Sequence, residues 1–159
     1  MDINELAKRV QALEDIEAIK QLKAEYADAC DDKYNPERMR NLFTEDAIWD
    51  GEKGGFGKHE GLDAVCAFFG AAKDILTFGV HWFLQPRIKI LNDTEAEGVW
   101  YLWQTSTTAS DKDIFLAAKQ YDKYRNENGT WKMSHMVLEM FYLVDISKGW
   151  KDNKQSGLD

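Results

Sequence analysis

The sequence predicts an α+β domain in which helices come first and a long antiparallel meander follows. Three observations carry that expectation. Up to Ile75, apolar residues recur every three or four positions, the spacing of a helix face. Beyond Thr77 the chain runs in long stretches rich in β-branched and aromatic residues. Those stretches are separated by turn signals, Asn92-Asp93, Ser110-Asp111-Lys112 and Asn128-Gly129, the last a hairpin dipeptide. With 159 residues there is sequence for one core, read as a single domain over 1–150 with a polar tail over 151–159.

Each element has a local reason. Leu6, Val10, Leu13, Ile16, Ile19, Leu22 and Tyr26 form one stripe among charged neighbours, which predicts a first helix of about thirty residues stopping near Asp31-Asp32. Asn35-Pro36 starts a short second helix, with Met39, Leu42 and Phe43 facing inward. Thr44-Glu45-Asp46 turns into a strand, Ala47-Ile48-Trp49. Four glycines between Gly51 and Gly57 make a flexible loop placed to act as a lid, without the pattern of a phosphate-binding loop. Leu62, Val65, Cys66, Phe69 and Ala72 mark a third helix. Strands are expected at about 78–91, 95–108, 113–125 and 130–146. They carry large residues on both faces, as with Val80, Trp82 and Leu84 against Phe83, so one sheet face covers the core and the other is buried elsewhere, as in an oligomer.

Composition narrows the function. A net charge of −8 repels phosphate backbones and argues against nucleic acid as a partner. No apolar run approaches the roughly 18 residues of a membrane span, and the first residues lack a signal peptide's apolar core. Cys30 and Cys66 have no CxxC partner and read as buried thiols in a reducing, cytoplasmic setting. Six tryptophans point to a pocket for a ring-bearing small molecule or to a large subunit interface.

Three histidines are the candidates for proton transfer. His59 sits between Lys58 and Glu60 and reads as exposed. His81, in Phe78-Gly79-Val80-His81-Trp82-Phe83, and His135, in Trp131-Lys132-Met133-Ser134-His135-Met136, each need a hydrogen-bond partner if buried, whether as a base or as a satisfied core residue. A carboxylate on the far nitrogen makes an imidazole a stronger base, and Asp28, Asp31 and Asp32 all lie at the end of the first helix, where an aspartate opposes the helix dipole. Periodicity does not choose among them. The histidines have no metal-ligand spacing and no serine sits in a nucleophile elbow, so cofactor-free, metal-free acid–base chemistry is the expectation.

Several segments together resemble a known family. They are Ile19-Lys20-Gln21-Leu22-Lys23-Ala24-Glu25-Tyr26 running on to Asp31, then Phe43-Thr44-Glu45-Asp46-Ala47, then His81, then Tyr121-Asp122-Lys123-Tyr124 and Asn128-Gly129-Thr130-Trp131-Lys132. In order and spacing, over residues 13–146, they resemble the SnoaL-like and scytalone-dehydratase-like branch of the nuclear-transport-factor-2-like superfamily. That resemblance implies a cone-shaped, cystatin-like fold, with helices held in a strongly bent antiparallel sheet around a deep pocket. It also implies a homotrimer and an Asp–His dyad, which falls by position on Asp31 and His81, with a pocket tyrosine on Tyr26. A second pocket histidine and a last-strand arginine found in members of the branch are replaced by Ser106 and by Met136 and Met140. Lys119 falls, within a residue, where scytalone dehydratase has a polar pocket group, and reads either as a pocket cation or as an edge-strand lysine facing solvent. Strand alternation puts Met136, Leu138 and Met140 on the pocket side, with His135 and Glu139 opposite.

The resulting expectation is a cofactor-independent lyase for an aromatic or polycyclic small molecule. His81 removes a proton, Asp31 orients it, and Tyr26 or Lys119 holds the leaving or carbonyl oxygen. Trp49, Trp103, Phe69, Met136 and Met140 shape the cavity. Loss of water, loss of halide, C–C cleavage and a ketosteroid-isomerase-like isomerisation or cyclisation would all use the same base. The competing expectation is a non-catalytic binding or assembly module. The discriminator is whether Asp31 and His81 are within hydrogen-bond reach inside an accessible cavity.

Overall fold

The computed structural model describes residues 2–149, so the expected polar tail lies outside the described residues. Helix α1 spans Ile3–Asp31, with Asp2 accepting the Glu5 N–H as its N-cap at 2.9 Å. Only its second half is buried, through Ile19, Leu22, Lys23, Tyr26, Ala29 and Cys30, while Leu6, Val10 and Leu13 of the apolar stripe stay exposed. Helix α2, Pro36–Leu42, is capped by Asn35, whose side chain accepts the N–H groups of Glu37 and Arg38. Strand β1 (Phe43–Gly51) leads through a short 3-10 turn, Glu52–Gly54, into strand β2 (Gly57–Glu60), and helix α3 is Leu62–Ala72. The meander is β3 (Leu76–Ile90), β4 (Glu95–Thr108), β5 (Asp113–Glu127) and β6 (Thr130–Asp145).

The six strands form one sheet in the order β2-β1-β6-β5-β4-β3. It is mixed, which corrects the expectation of an antiparallel sheet. The meander and the β1–β2 hairpin are antiparallel, but β1 returns beside β6 in parallel register, Trp49 opposite Met136. The glycine-rich stretch from Gly51 to Gly57 is likewise more ordered than expected, since it holds the Glu52–Gly54 turn and its two ends pair with each other, Gly51 opposite Gly57.

One face of the sheet packs against the helices. Along β4 and β5 burial alternates residue by residue, with the even-numbered positions of both strands inward. Helix α1 lies against β3, and α3 lies against β1 and α2, so both sides of the sheet curl toward the same core. The edge strand β3 breaks its ladder between Leu84 and Arg87, where Gln85 has φ 52° and Pro86 supplies no donor; this bulge blunts an otherwise long edge. The core is strongly aromatic, with Tyr26, Phe43 and Phe69 in edge-to-face contact.

Candidate functional site

Packing α1 along β3 brings the last residue of the helix to the inward-facing His81. Asp31 Oδ1 accepts the His81 backbone N–H at 3.0 Å and meets Nδ1 at 2.7 Å. A carboxylate oxygen is an acceptor, so Nδ1 carries the proton and, in the neutral ring, Nε2 presents its lone pair. Tyr34 Oη lies 3.3 Å from that Nε2 and donates to it. The Tyr34 oxygen in turn accepts from Gln104 Nε2 at 3.2 Å, and the same amide donates to Ser106 Oγ at 2.8 Å. The His81 side chain is 5% exposed and that of Asp31 is 32% exposed, so the pair runs from the interior to the rim.

Tyr34 reaches the site through an unusual backbone turn. Lys33 and Tyr34 both have φ 54°, a left-handed conformation that costs a non-glycine residue about 1–2 kcal/mol. The turn is tied back to α1 by Tyr34 N–H to the Cys30 carbonyl at 2.9 Å and Asn35 N–H to the Ala29 carbonyl at 3.0 Å. Across from it, Gly79 makes room. A Cβ there would sit 3.1 Å from Ser106 Oγ, 3.4 Å from the His81 ring and 3.5 Å from the Tyr34 hydroxyl.

His81 and Tyr34 border a cavity of about 120 Å³ whose walls are otherwise largely apolar, with Trp49, Phe68, Phe69, Phe83, Leu116 and Leu138 among them. Tyr26 is also on the wall, and its hydroxyl accepts from Trp49 Nε1 at 3.3 Å. Burial pushes the Tyr26 and Tyr34 hydroxyls and the Cys30 thiol well above their ordinary pKa values. All three groups therefore stay protonated, which makes the tyrosines donors and leaves the thiol a poor nucleophile.

The other candidates divide. Trp49 and Phe69 are on the cavity wall. Lys119 is not: it lies at an odd, outward position of β5, its ammonium 5.3 Å from the centre of the Tyr101 ring and 5.8 Å from that of Tyr121. Trp103 is also outward, packed on Phe115 and Tyr142. Met136 is fully buried in the core beside Trp49 rather than on the wall, and Met140 is half-buried next to the Glu52–Gly54 turn. His59 stacks on Phe68 with ring centres 4.2 Å apart. His135 Nε2 is buried without a partner; burial first, and Lys123 next, hold its pKa down. Among the described residues, no group of three or more His, Cys, Asp or Glu is arranged to hold a metal, and no helix is long and apolar enough to cross a membrane.

Sequence reasoning passed over one buried cluster. Lys23 is fully enclosed, with its ammonium 2.7 Å from Asp122 Oδ2, 2.5 Å from Gln120 Oε1 and 4.3 Å from the centre of the Phe83 ring. Tyr124 donates to the same Asp122 oxygen at 2.8 Å and accepts from Trp100 Nε1 at 2.8 Å. Burial lowers the Lys23 pKa and the Asp122 charge opposes that shift. Only the i, i+3 and i+4 spacing of Lys23 to Ile19, Tyr26 and Ala27 hinted that it shares the inward stripe.

Comparison with known proteins places this geometry in context. Among curated protein sequences none matches the chain. The solved structure of LinA is 19% identical with a TM-score of 0.81, the alignment covering 87% of this chain and 94% of that one. The hexachlorocyclohexane dehydrochlorinase LinA-type3 from Novosphingobium barchaimii LL02 is 18% identical with a TM-score of 0.79, over 87% and 94%. An NTF2-like protein with a cystatin-like fold from Novosphingobium aromaticivorans is 19% identical with a TM-score of 0.71, over 88% and 90%. At these identities the likeness establishes the fold. The SnoaL-like domain matches residues 11–137, most of the described chain, and the protein belongs to that family.

Proposed function

We propose that the protein is a cofactor-independent lyase that uses Asp31 and His81 as an orienter and general base on a small ring-bearing substrate. The observation that carries this reading is the double acceptance at Asp31 Oδ1, which leaves His81 Nε2 as a basic lone pair facing an apolar cavity. In the resting site Tyr34 occupies that lone pair. A substrate C–H or O–H entering the cavity takes its place, and the freed Tyr34 O–H turns to the oxygen or halide that departs. Proton removal creates an imidazolium, which the Asp31 carboxylate stabilises. Tyr34 thus takes the role first assigned to Tyr26 or Lys119, because it touches the base while Tyr26 is held by Trp49.

Cavity size narrows the substrate. An apolar cavity of about 150 Å³ accepts benzene, so about 120 Å³ is on the scale of one small ring system rather than of a large polycyclic skeleton. Structural kinship with a hexachlorocyclohexane dehydrochlorinase keeps elimination of halide beside elimination of water as the reaction type. The outer sheet face, with Tyr101, Trp103, Phe115 and Phe141, supports a homo-oligomer, a trimer by the family resemblance.

The test is a panel of monocyclic alcohols and halides incubated with purified protein and followed by ultraviolet absorbance for new conjugation. The wild type converts at least one class, and His81→Ala loses about 10²–10⁴-fold in rate while retaining its fold. A His81→Ala protein with undiminished turnover, or a wild type inert to the whole panel, contradicts the reading.

A further inference from the structure

The buried lysine has a consequence at the far end of the cavity. An ammonium has donors only, so the Gln120 atom 2.5 Å from Lys23 Nζ must be the amide oxygen. That fixes the orientation of the whole amide, because its NH2 group then points away from Lys23. Gln120 is 2% exposed and lies on the cavity wall. The donors nearest the base already have acceptors. Tyr34 donates to His81, and Gln104 gives its amide hydrogens to Tyr34 and Ser106. Among the described residues the Gln120 NH2 has no acceptor. Gln120 is displaced along β5 from Leu116, which stands opposite Gln104 and, through it, His81. Four residues of strand are about 13 Å, so the free donor faces the base from the other end of the pocket.

We propose that Lys23, locked by Asp122, is a positioning residue that holds Gln120 as a fixed hydrogen-bond donor, so that the cavity selects ring compounds carrying a neutral acceptor oxygen and rejects those offering only a donor. The Lys23–Asp122 pair has no net charge and gives the pocket no reason to prefer an anion. Nor does the pair read as a stabilising device, since buried ion pairs roughly break even against apolar residues of the same volume, and Asp122 Oδ1 is left without a partner. Its effect is directional: with Lys23 in place the amide cannot flip to accept.

This inference rests on reading the cavity as the substrate site, and it deepens that reading by naming the ligand chemistry. The experiment measures binding without turnover, by calorimetry, using two ligands and their apolar isosteres. Acetophenone is compared with α-methylstyrene, and indole, which has a donor and no acceptor of comparable strength, with indene. The wild type binds acetophenone about tenfold more tightly than α-methylstyrene, the worth of one hydrogen bond in a dry site, and indole no more tightly than indene. Gln120→Leu and Gln120→Glu both bring the acetophenone ratio to about one, the second while keeping an acceptor for Lys23. In the paired variant Lys23→Met/Asp122→Leu the amide is free to flip, and the indole ratio rises about fivefold. Simple loss of packing would weaken each ligand and its isostere alike and leave the ratios unchanged. A wild-type acetophenone ratio of one, a Gln120 variant that keeps the preference, or a paired variant with an unmoved indole ratio overturns the proposal. Should the protein be inert toward the panel of alcohols and halides while these ratios hold, the lyase reading fails and the donor assignment stands.

Discussion

Two donors from one residue converge on a single oxygen of Asp31: the backbone N–H and the ring Nδ1–H of His81. The backbone bond fixes where the carboxylate sits, and the ring bond fixes which nitrogen is basic. Replacing Asp31 with Ala removes both restraints, lets the ring choose its tautomer and leaves an imidazolium without its counter-charge. Turnover of whichever substrate the panel identifies should fall about 10³–10⁴-fold in Asp31→Ala, with the melting temperature nearly kept. Tyr34→Phe tests the next group outward. It removes the proposed donor to the leaving atom and should lower turnover about 10–10²-fold while α-methylstyrene binds as before, as read by steady-state rates and calorimetry. At this scale the sequence was informative where chemistry is scarce and silent where backbone is unusual. With only three histidines, the mid-strand one commands attention, and the family resemblance supplies Asp31 as its neighbour. Tyr34 carried no signal, because its position depends on two left-handed residues that contain no glycine to announce them.

At the level of strands, inward and outward are decided by single-residue register. The resemblance placed a polar pocket group within one residue of Lys119, and the residue that faces inward is its neighbour Gln120; a shift of one position moves a side chain to the other face of the sheet. Periodicity located α1, α2, α3 and the four long strands closely, because their burial patterns are local. It could not show β2, a four-residue strand half open to solvent, nor the parallel pairing of β1 with β6, which joins segments far apart in sequence. The β5–β6 hairpin was legible because Asn-Gly is itself the turn, with Asn128 at φ 55° and Gly129 at φ 87°. Gly129→Ala should therefore cost about 1–2 kcal/mol in chemical denaturation and leave turnover unchanged, since the turn is far from the cavity.

Across the whole molecule, charge is handled in two ways. On the surface, hydrogen bonds from Arg125 hold Asp46 down to a pKa of about 2. A carboxylate whose folded value lies below its unfolded one, about 3.9, contributes stability that is complete above that unfolded value and lost as pH falls through the folded one. Asp46→Asn should thus flatten the loss of stability between about pH 4 and pH 2 in acid titrations of the melting temperature. In the interior, Lys23 and Asp122 are enclosed together. Lys23→Met alone strands a buried carboxylate and should cost about 3–5 kcal/mol, measured by denaturant unfolding, whereas the paired Lys23→Met/Asp122→Leu change should recover most of that loss. The helices, the curled sheet and this buried pair together hold an apolar cavity lined by the His81 imidazole and the Gln120 amide.

The most direct measurement of that arrangement is ¹⁵N NMR of the histidine rings at about pH 8.5, where an unperturbed imidazole is neutral. The Asp31–His81 geometry predicts that His81 is the Nδ1–H tautomer, with Nε2 showing the shift of an unprotonated, hydrogen-bonded nitrogen that moves in Tyr34→Phe. An Nε2–H tautomer, or an Nε2 signal indifferent to Tyr34, would contradict it.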